Sequence, residues 1–213
     1  MTHIVANQNL IFKSFWDSCL KVMASYLSPN ERSSFYSCAS TTLVFGLTHN
    51  LENACITNMD YFLRHIVGET NKIDIPRDVC DEITSEPLGS LTVIHNHPNS
   101  TAPSCNDYKF FLTHISLKNM AVCGHRGNLY FIKKGKLFYQ EATDVIDLLC
   151  VALQNVSRKI WLLALDFHGY SVDEIGTASE EIQTICINSA MEILFVYTCR
   201  QLEKYGFRGY RKG

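Results

Sequence analysis

No two cysteines in this chain stand at C-x-x-C spacing, although cysteine itself is abundant: Cys19, Cys38, Cys55, Cys80, Cys105, Cys123, Cys150, Cys186 and Cys199. An odd, unpaired set of nine suits neither the disulfide framework of a small secreted domain nor a four-cysteine zinc site. Most of these residues lie in apolar runs such as FWDSCLKVM, DLLCVAL and IQTICINSA, where reduced cysteine serves as a small core hydrophobe. Charge is also scarce, at 19% of residues with a net charge of −2 and a pI near 6.4. Nothing global therefore draws the chain to nucleic acid or to an anionic membrane. The opening MTHIVANQNL has no basic stretch followed by an apolar one, so no secretory signal is expected. No uninterrupted apolar run approaches the roughly 18–20 residues of a spanning helix. The 213 residues fall short of an ordinary (β/α)₈ barrel of about 250, which removes several hydrolase families with a His-x-His metal pair. A cytoplasmic globular protein is expected, with no membrane or nucleic-acid partner.

The hydrophobic period changes twice along the chain. From Asn9 to Leu27, Leu10, Ile11, Phe15, Cys19, Val22, Met23, Tyr26 and Leu27 recur at helical spacing, and a short helix over residues 29–38 follows. Between residues 41 and 139 the signal turns to short runs bounded by turn residues. These are TTLVFGL, ENACITN, YFLRHIVG, KIDIP, SLTVIHNH, MAVCGH, LYFIKK and KLFYQ. Asn58-Met59-Asp60, Arg126-Gly127-Asn128 and Lys134-Gly135 read as hairpin connections, and one helix over residues 104–117 interrupts the series. Beyond Glu141 a long helix carries Val145, Leu148, Leu149, Ala152, Val156, Ile160 and Leu163 on one face. A final helix opens at the capping-box pattern Ser171-Val-Asp-Glu174. The ending YGFRGYRKG reads as a solvated basic tail. Three segments result: a helical part over residues 1–40, a core over 41–140 and a helical region over 141–213. The fold class is α/β (α+β), a mixed sheet flanked by helices.

One stretch concentrates the chemistry: LTVIHNHPNSTAPSCND, residues 91–107. An apolar strand presents His95 and His97 on one side, because strand side chains alternate with period 2. Pro98 ends the strand, a polar loop follows, and Ser104 stands at the N-cap of a helix that brings Asp107. Two imidazoles and one carboxylate make the ligand set that zinc favours, with a fourth tetrahedral position left for water. Two histidines at i, i+2 alone would describe a polar sheet face; the ordered Pro98, Ser104 and Asp107 make them a metal site.

H-x-H-P, a short loop and then S-x-x-D resembles the motif of the JAMM (MPN-plus) metallopeptidases, and HNHP with PS and Asp is similar to their prokaryotic JAB and RadC-like branches. GETNKIDIP before the strand and MAVCGHRGNLYFIKKG after the helix agree, so the resemblance spans about residues 42–139. It implies a cytidine-deaminase-like sheet and a Zn²⁺ hydrolase of peptide or isopeptide bonds, ubiquitin-like C-terminal tails among its substrates. It further implies His95, His97 and Asp107 as ligands, with Ser104 binding the water or the oxyanion. The family also uses an upstream glutamate as general base. Glu52, 43 residues before His95, opens the run ENACITN and keeps family order, though the E-x-x-G-L-L-x-G context is absent there. Glu31, Glu69, Glu82 and Glu86 stand as alternatives. Cys105, His114, His125, Asn96 and Asn99 are weaker candidates, read as a first-turn thiol, a helix-face residue, a hairpin-tip residue and two loop-shaping amides. The competing classes are an inactive scaffold whose C-terminal helices dock a partner or a second copy, and a RadC-like DNA-associated protein.

Overall fold

The computed structural model describes residues 2–58 and 62–212. Two helices, α1 (Thr2–Tyr26) and α2 (Pro29–His49), precede the strands β1 (Asn53–Thr57) and β2 (Phe62–Val67). A short α3 (Arg77–Ser85) leads to β3 (Leu91–His97), α4 (Cys105–Thr113), β4 (Leu117–Gly124) and β5 (Leu129–Lys133). Then come α5 (Lys136–Phe167), α6 (Val172–Ile175), α7 (Glu180–Leu202) and the closing strand β6 (Arg208–Lys212). The strands form one mixed sheet in the order β2-β1-β3-β4-β5-β6, in which β3 and β4 are parallel and every other pair is antiparallel.

Alternation along the strands divides the interior into two layers. Ile56, Leu91, Val93, Met120, Val122, Tyr130 and Ile132 face α4, α5 and α7, where they meet Phe111, Phe138, Leu194 and Phe195. Cys55, Ile94, Ala121, Cys123, Leu129 and Phe131 face α1 and α2, against Phe15, Cys19, Phe35, Cys38 and Leu43. The buried cysteines thus pack as apolar side chains, and all nine are free thiols.

Several elements differ from the sequence reading. The run TTLVFGL is not a strand but the second half of α2, which continues unbroken to His49. Its buried positions Phe35, Cys38, Ala39, Thr42, Leu43 and Gly46 recur at helical spacing along the sheet, and this packing overrides the β-propensity of Thr, Val and Phe. The run KLFYQ opens α5, so Lys134-Gly135 is no hairpin. The free edge of β5 is taken instead by β6, from Leu129↔Lys212 to Lys133↔Arg208, which makes the basic tail an edge strand. Arg211 there meets Glu192 of α7 at 2.5 Å, and Tyr26 donates to the Gly209 carbonyl at 3.0 Å. The boundaries read near residues 40 and 140 each fall inside a helix.

The strand readings of ENACITN, YFLRHIVG, SLTVIHNH, MAVCGH and LYFIKK agree with the structure, as does the Arg126-Gly127-Asn128 turn, where Gly127 takes φ 88°. KIDIP joins no strand among the described residues, and residues 77–85 form α3. The connection at Asn58-Met59-Asp60 lies, beyond Asn58, outside the described residues. The Ser171–Glu174 capping box is present, with the Ser171 N–H donating to Glu174 Oε2 at 2.8 Å, but α6 stops after four residues and Ser179 caps a separate α7. In α5 the buried line is Leu149, Leu153, Ile160 and Ala164, while Leu148 and Leu163 of the expected stripe are exposed. The Val145 side chain lies outside the described set. By length and composition the segments Ile146–Phe167 and Glu180–Tyr205 could each cross a membrane, which a count of uninterrupted apolar residues overlooks; 28% of either window is buried.

Candidate metal centre

The site forms where β3 ends and the chain crosses through α4 to the parallel β4, beyond the carboxyl end of the strands. His95 and His97 are both buried, on the face shared by Leu91 and Val93. After Pro98 the loop turns at Ser100, whose φ is 59°, and its N–H donates to the His97 carbonyl at 2.9 Å. The return brings Thr101 back to His97: the imidazole Nδ1 lies 3.1 Å from the Thr101 carbonyl and 2.8 Å from its Oγ1. A carbonyl only accepts, so Nδ1 carries the hydrogen and Nε2 offers its lone pair to the site.

Ser104 then caps α4. Its Oγ accepts the Asp107 N–H at 3.3 Å, while Asp107 Oδ2 accepts the Ser104 N–H at 2.6 Å. This reciprocal box aims the Asp107 carboxylate at the histidines, with Oδ1 3.2 Å from His95 Nε2 and Oδ2 3.6 Å from His97 Nε2. The two Nε2 atoms are 3.2 Å apart. Three donors bound at about 2.0–2.2 Å around a tetrahedral ion stand about 3.4 Å from one another, so this triangle fits zinc. The three donor atoms lie within 4.8 Å of one another, the one such cluster among the described residues.

Electrostatics agree with a cation site. Burial alone would raise the Asp107 carboxyl, but His95, His97 and the Ser104 donor hold it far below the usual range. Burial opposes a proton on His95, yet Asp107 and Glu52 favour one, and the balance is upward. Burial, with His95 adding to it, pushes His97 down to about 4. Glu52 rises to about 7 through burial, with His95 opposing and Asp107 adding to the shift.

Glu52 immediately precedes β1 and shares the face of Ala54, which stands opposite His95 in the β1–β3 ladder. Its carboxylate lines both lobes of a cleft around the histidines and Asp107. One lobe, about 330 Å³, is walled by Ile73, Ile75, Val93, Phe110 and Met120. The other, about 340 Å³, is lined by Asn71, Lys72, Asn99, Thr101 and Ser104, with Ile187 and Met191 of α7 at its edge. The run GETNKIDIP thus borders the cleft, and α7 contributes Ile187 and Met191 to its edge.

The alternative glutamates stand elsewhere. Glu31 is buried on the opposite face of the sheet, beside Thr92, in an ion pair with Lys118 at 2.7 Å and bonded to Ser28. Glu69 contributes its backbone, its carbonyl accepting the Glu52 N–H at 2.7 Å. Glu82 pairs with Arg64 at 3.1 Å, and Glu86 ends α3. Cys105 packs against the core at the first turn of α4. His114 ends that helix, its Nδ1 2.9 Å from the Phe110 carbonyl. His125 and Asn96 meet behind the site: Asn96 Nδ2 and His125 Nε2 are 2.8 Å apart. Two residues that the sequence reading passed over, Thr101 and Asn53, belong to this surrounding shell. The available signal for the Asn53–Asn96 contact was Asn96 itself, a polar residue alternating to the inner face of a buried strand.

No protein-family model matches the chain, and comparison with curated proteins and with solved structures returns no match.

Proposed function

We propose that this chain is a zinc-dependent metallopeptidase of the JAMM (MPN-plus) type that hydrolyses peptide or isopeptide bonds in the cytoplasm, with ubiquitin-like C-terminal tails as the substrate class. The observation that carries this reading is the convergence of His95, His97 and Asp107 beside a half-buried Glu52 in one cleft. When bound, zinc supplies Lewis-acid polarisation and a water acidified to near neutrality. Glu52, raised to about 7 by burial, takes the proton of the attacking water and returns it to the leaving amine. The Ser104 hydroxyl, which accepts from Asp107 N–H, keeps its own O–H free to donate to the developing oxyanion. Asp107 stays ionised at neutral pH, and Thr101 keeps His97 in the ligating tautomer.

The test is metal content followed by turnover. The full chain is expected to hold one zinc and to cleave members of a peptide and ubiquitin-like isopeptide panel. Glu52→Gln is expected to retain zinc and lose about 10²–10⁴-fold in rate. A folded chain that takes up no zinc on addition overturns the reading. A second reading, an inactive scaffold of the same architecture, draws on the exposed Leu148, Val151, Leu163 and Phe167 along α5. Zinc uptake with no cleavage of any panel member favours it.

A further inference from the structure

Strand β3 carries its two histidines on one face and Asn96, between them in sequence, on the other. Asn96 is fully buried, and every hydrogen-bonding capacity of its side chain is used. Its Oδ1 accepts from the Asn53 backbone N–H at 2.7 Å and from Asn53 Nδ2 at 2.6 Å. Its Nδ2 donates to the Leu51 carbonyl at 2.9 Å and to His125 Nε2 at 2.8 Å. A flipped amide would face two donors with its own donor, so only one orientation is satisfied.

Leu51 and Asn53 are the two neighbours of Glu52. The regular β1–β3 register ends at Ala54↔His95, and one residue further the Asn96 amide replaces the next rung. On its other side the Glu52 main chain is bonded twice to the continuation of β2: its N–H to the Glu69 carbonyl at 2.7 Å, its carbonyl to the Gly68 N–H at 2.8 Å. Residues 51–53 are thus clamped by backbone on one side and by a single side chain on the other. The clamp is itself supported, since Asn53 Nδ2 donates to the Thr42 carbonyl at 3.0 Å and His65 Nε2 donates to Asn53 Oδ1 at 2.9 Å. Gly46 of α2 leaves the space: a Cβ there would overlap Asn96 Nδ2 and His125 Nε2.

We infer that Asn96 is a positioning residue, holding the Glu52 carboxylate at a set distance from the metal ligands that flank Asn96 in the same strand. This rests on the reading of Glu52 as the proton acceptor. The β1–β3 ladder stops at Ala54↔His95, so beyond it the Asn96 amide is what ties the segment bearing Glu52 to the ligand strand, and a displacement of about 1 Å at a reacting group costs about 10²-fold in rate.

The test compares wild type, Asn96→Ala, Asn96→Asp, Glu52→Gln and the packing control Phe131→Leu, each as the full zinc-loaded chain. Asn96→Ala is expected to keep one zinc per chain and the visible spectrum of its cobalt-substituted form. Its kcat should fall about 100-fold with KM within about twofold. Amide exchange at Asn53, whose acceptor is lost, should accelerate at least about tenfold. Asn96→Asp still accepts from the Asn53 N–H but offers Leu51 no donor, so it should fall between; it also carries the test if Asn96→Ala does not fold. A merely structural role predicts the pattern of Phe131→Leu, a lowered Tm with kcat and Asn53 exchange unmoved. Unchanged exchange at Asn53 overturns the inference, as does an Asn96→Ala that keeps its kcat beside an inactive Glu52→Gln. A fully active Glu52→Gln instead overturns the role of Glu52, and with it the purpose assigned to Asn96.

Discussion

Asp107 accepts the Ser104 N–H at 2.6 Å while its own N–H donates to Ser104 Oγ at 3.3 Å, so the cap of α4 and the carboxylate that faces His95 and His97 are one structure. Ser104→Ala keeps the first bond and loses the second. It is expected to cost about 1 kcal/mol of stability and to weaken zinc binding roughly tenfold, measured by competition with a chromophoric chelator. Zinc affinity equal to wild type would show that Asp107 is held without its cap.

Zinc binding should itself stabilise the fold. At a free concentration of about 100 Kd it adds about 2.7 kcal/mol, read as a rise in the urea midpoint. His95→Ala, His97→Ala and Asp107→Ala should each abolish that increment. Asp107 favours a proton on His95, which a metal must displace, so zinc affinity should fall as pH is lowered. A pH-independent affinity would contradict the proposed ligand set.

The Glu31–Lys118 pair predicts acid sensitivity unconnected with the metal. Burial would raise Glu31, but Lys118 and Ser28 together hold it at about 2, below its ordinary 4.5. A depressed carboxyl contributes stability that is fully present above about pH 4.5 and is lost as pH falls toward 2, about 3 kcal/mol in all. Glu31→Gln should flatten that acid limb in urea titrations while leaving zinc affinity unchanged, because Glu31 lies on the far face of the sheet. A loss of zinc on this substitution would reopen Glu31 as a site residue.

Gly46→Ala separates helix propensity from packing. In an exposed helix the change would stabilise by roughly 0.5–1 kcal/mol. In α2 the new methyl meets Asn96 and His125, so a net destabilisation of about 1–3 kcal/mol is expected from thermal unfolding. A raised Tm would mean that the amide network yields at little cost.

What was legible in the sequence is what local periodicity encodes. Alternation in LTVIHNH assigned both histidines to one face, and the S-x-x-D cap delivered Asp107 within ten residues of His97. The same local rules failed where a partner element decided the outcome. TTLVFGL has strand-forming residues, yet it lies as helix on the sheet because its buried positions match the helical period. The basic ending reads as solvated until the open edge of β5 is known to need a strand. Two helices taken as ordinary amphipathic ones leave apolar residues exposed, Leu148, Leu163 and Phe167 on α5 and Ile185, Ile187 and Ile193 on α7.

By itself the sequence determined the candidate triad of His95, His97 and Asp107, because strand alternation and helix capping act over two to four residues and need no distant partner. Only the tertiary structure decided which glutamate stands beside it. Glu52 and Glu31 both precede His95; the order of segments favours Glu52, but local pattern places neither carboxylate against the histidines. The sheet does: it places β1 against β3, so Glu52 enters the cleft, and it turns the Glu31 end of α2 to the opposite face, where Lys118 neutralises it. Long-range pairing, which local pattern does not encode, made that choice.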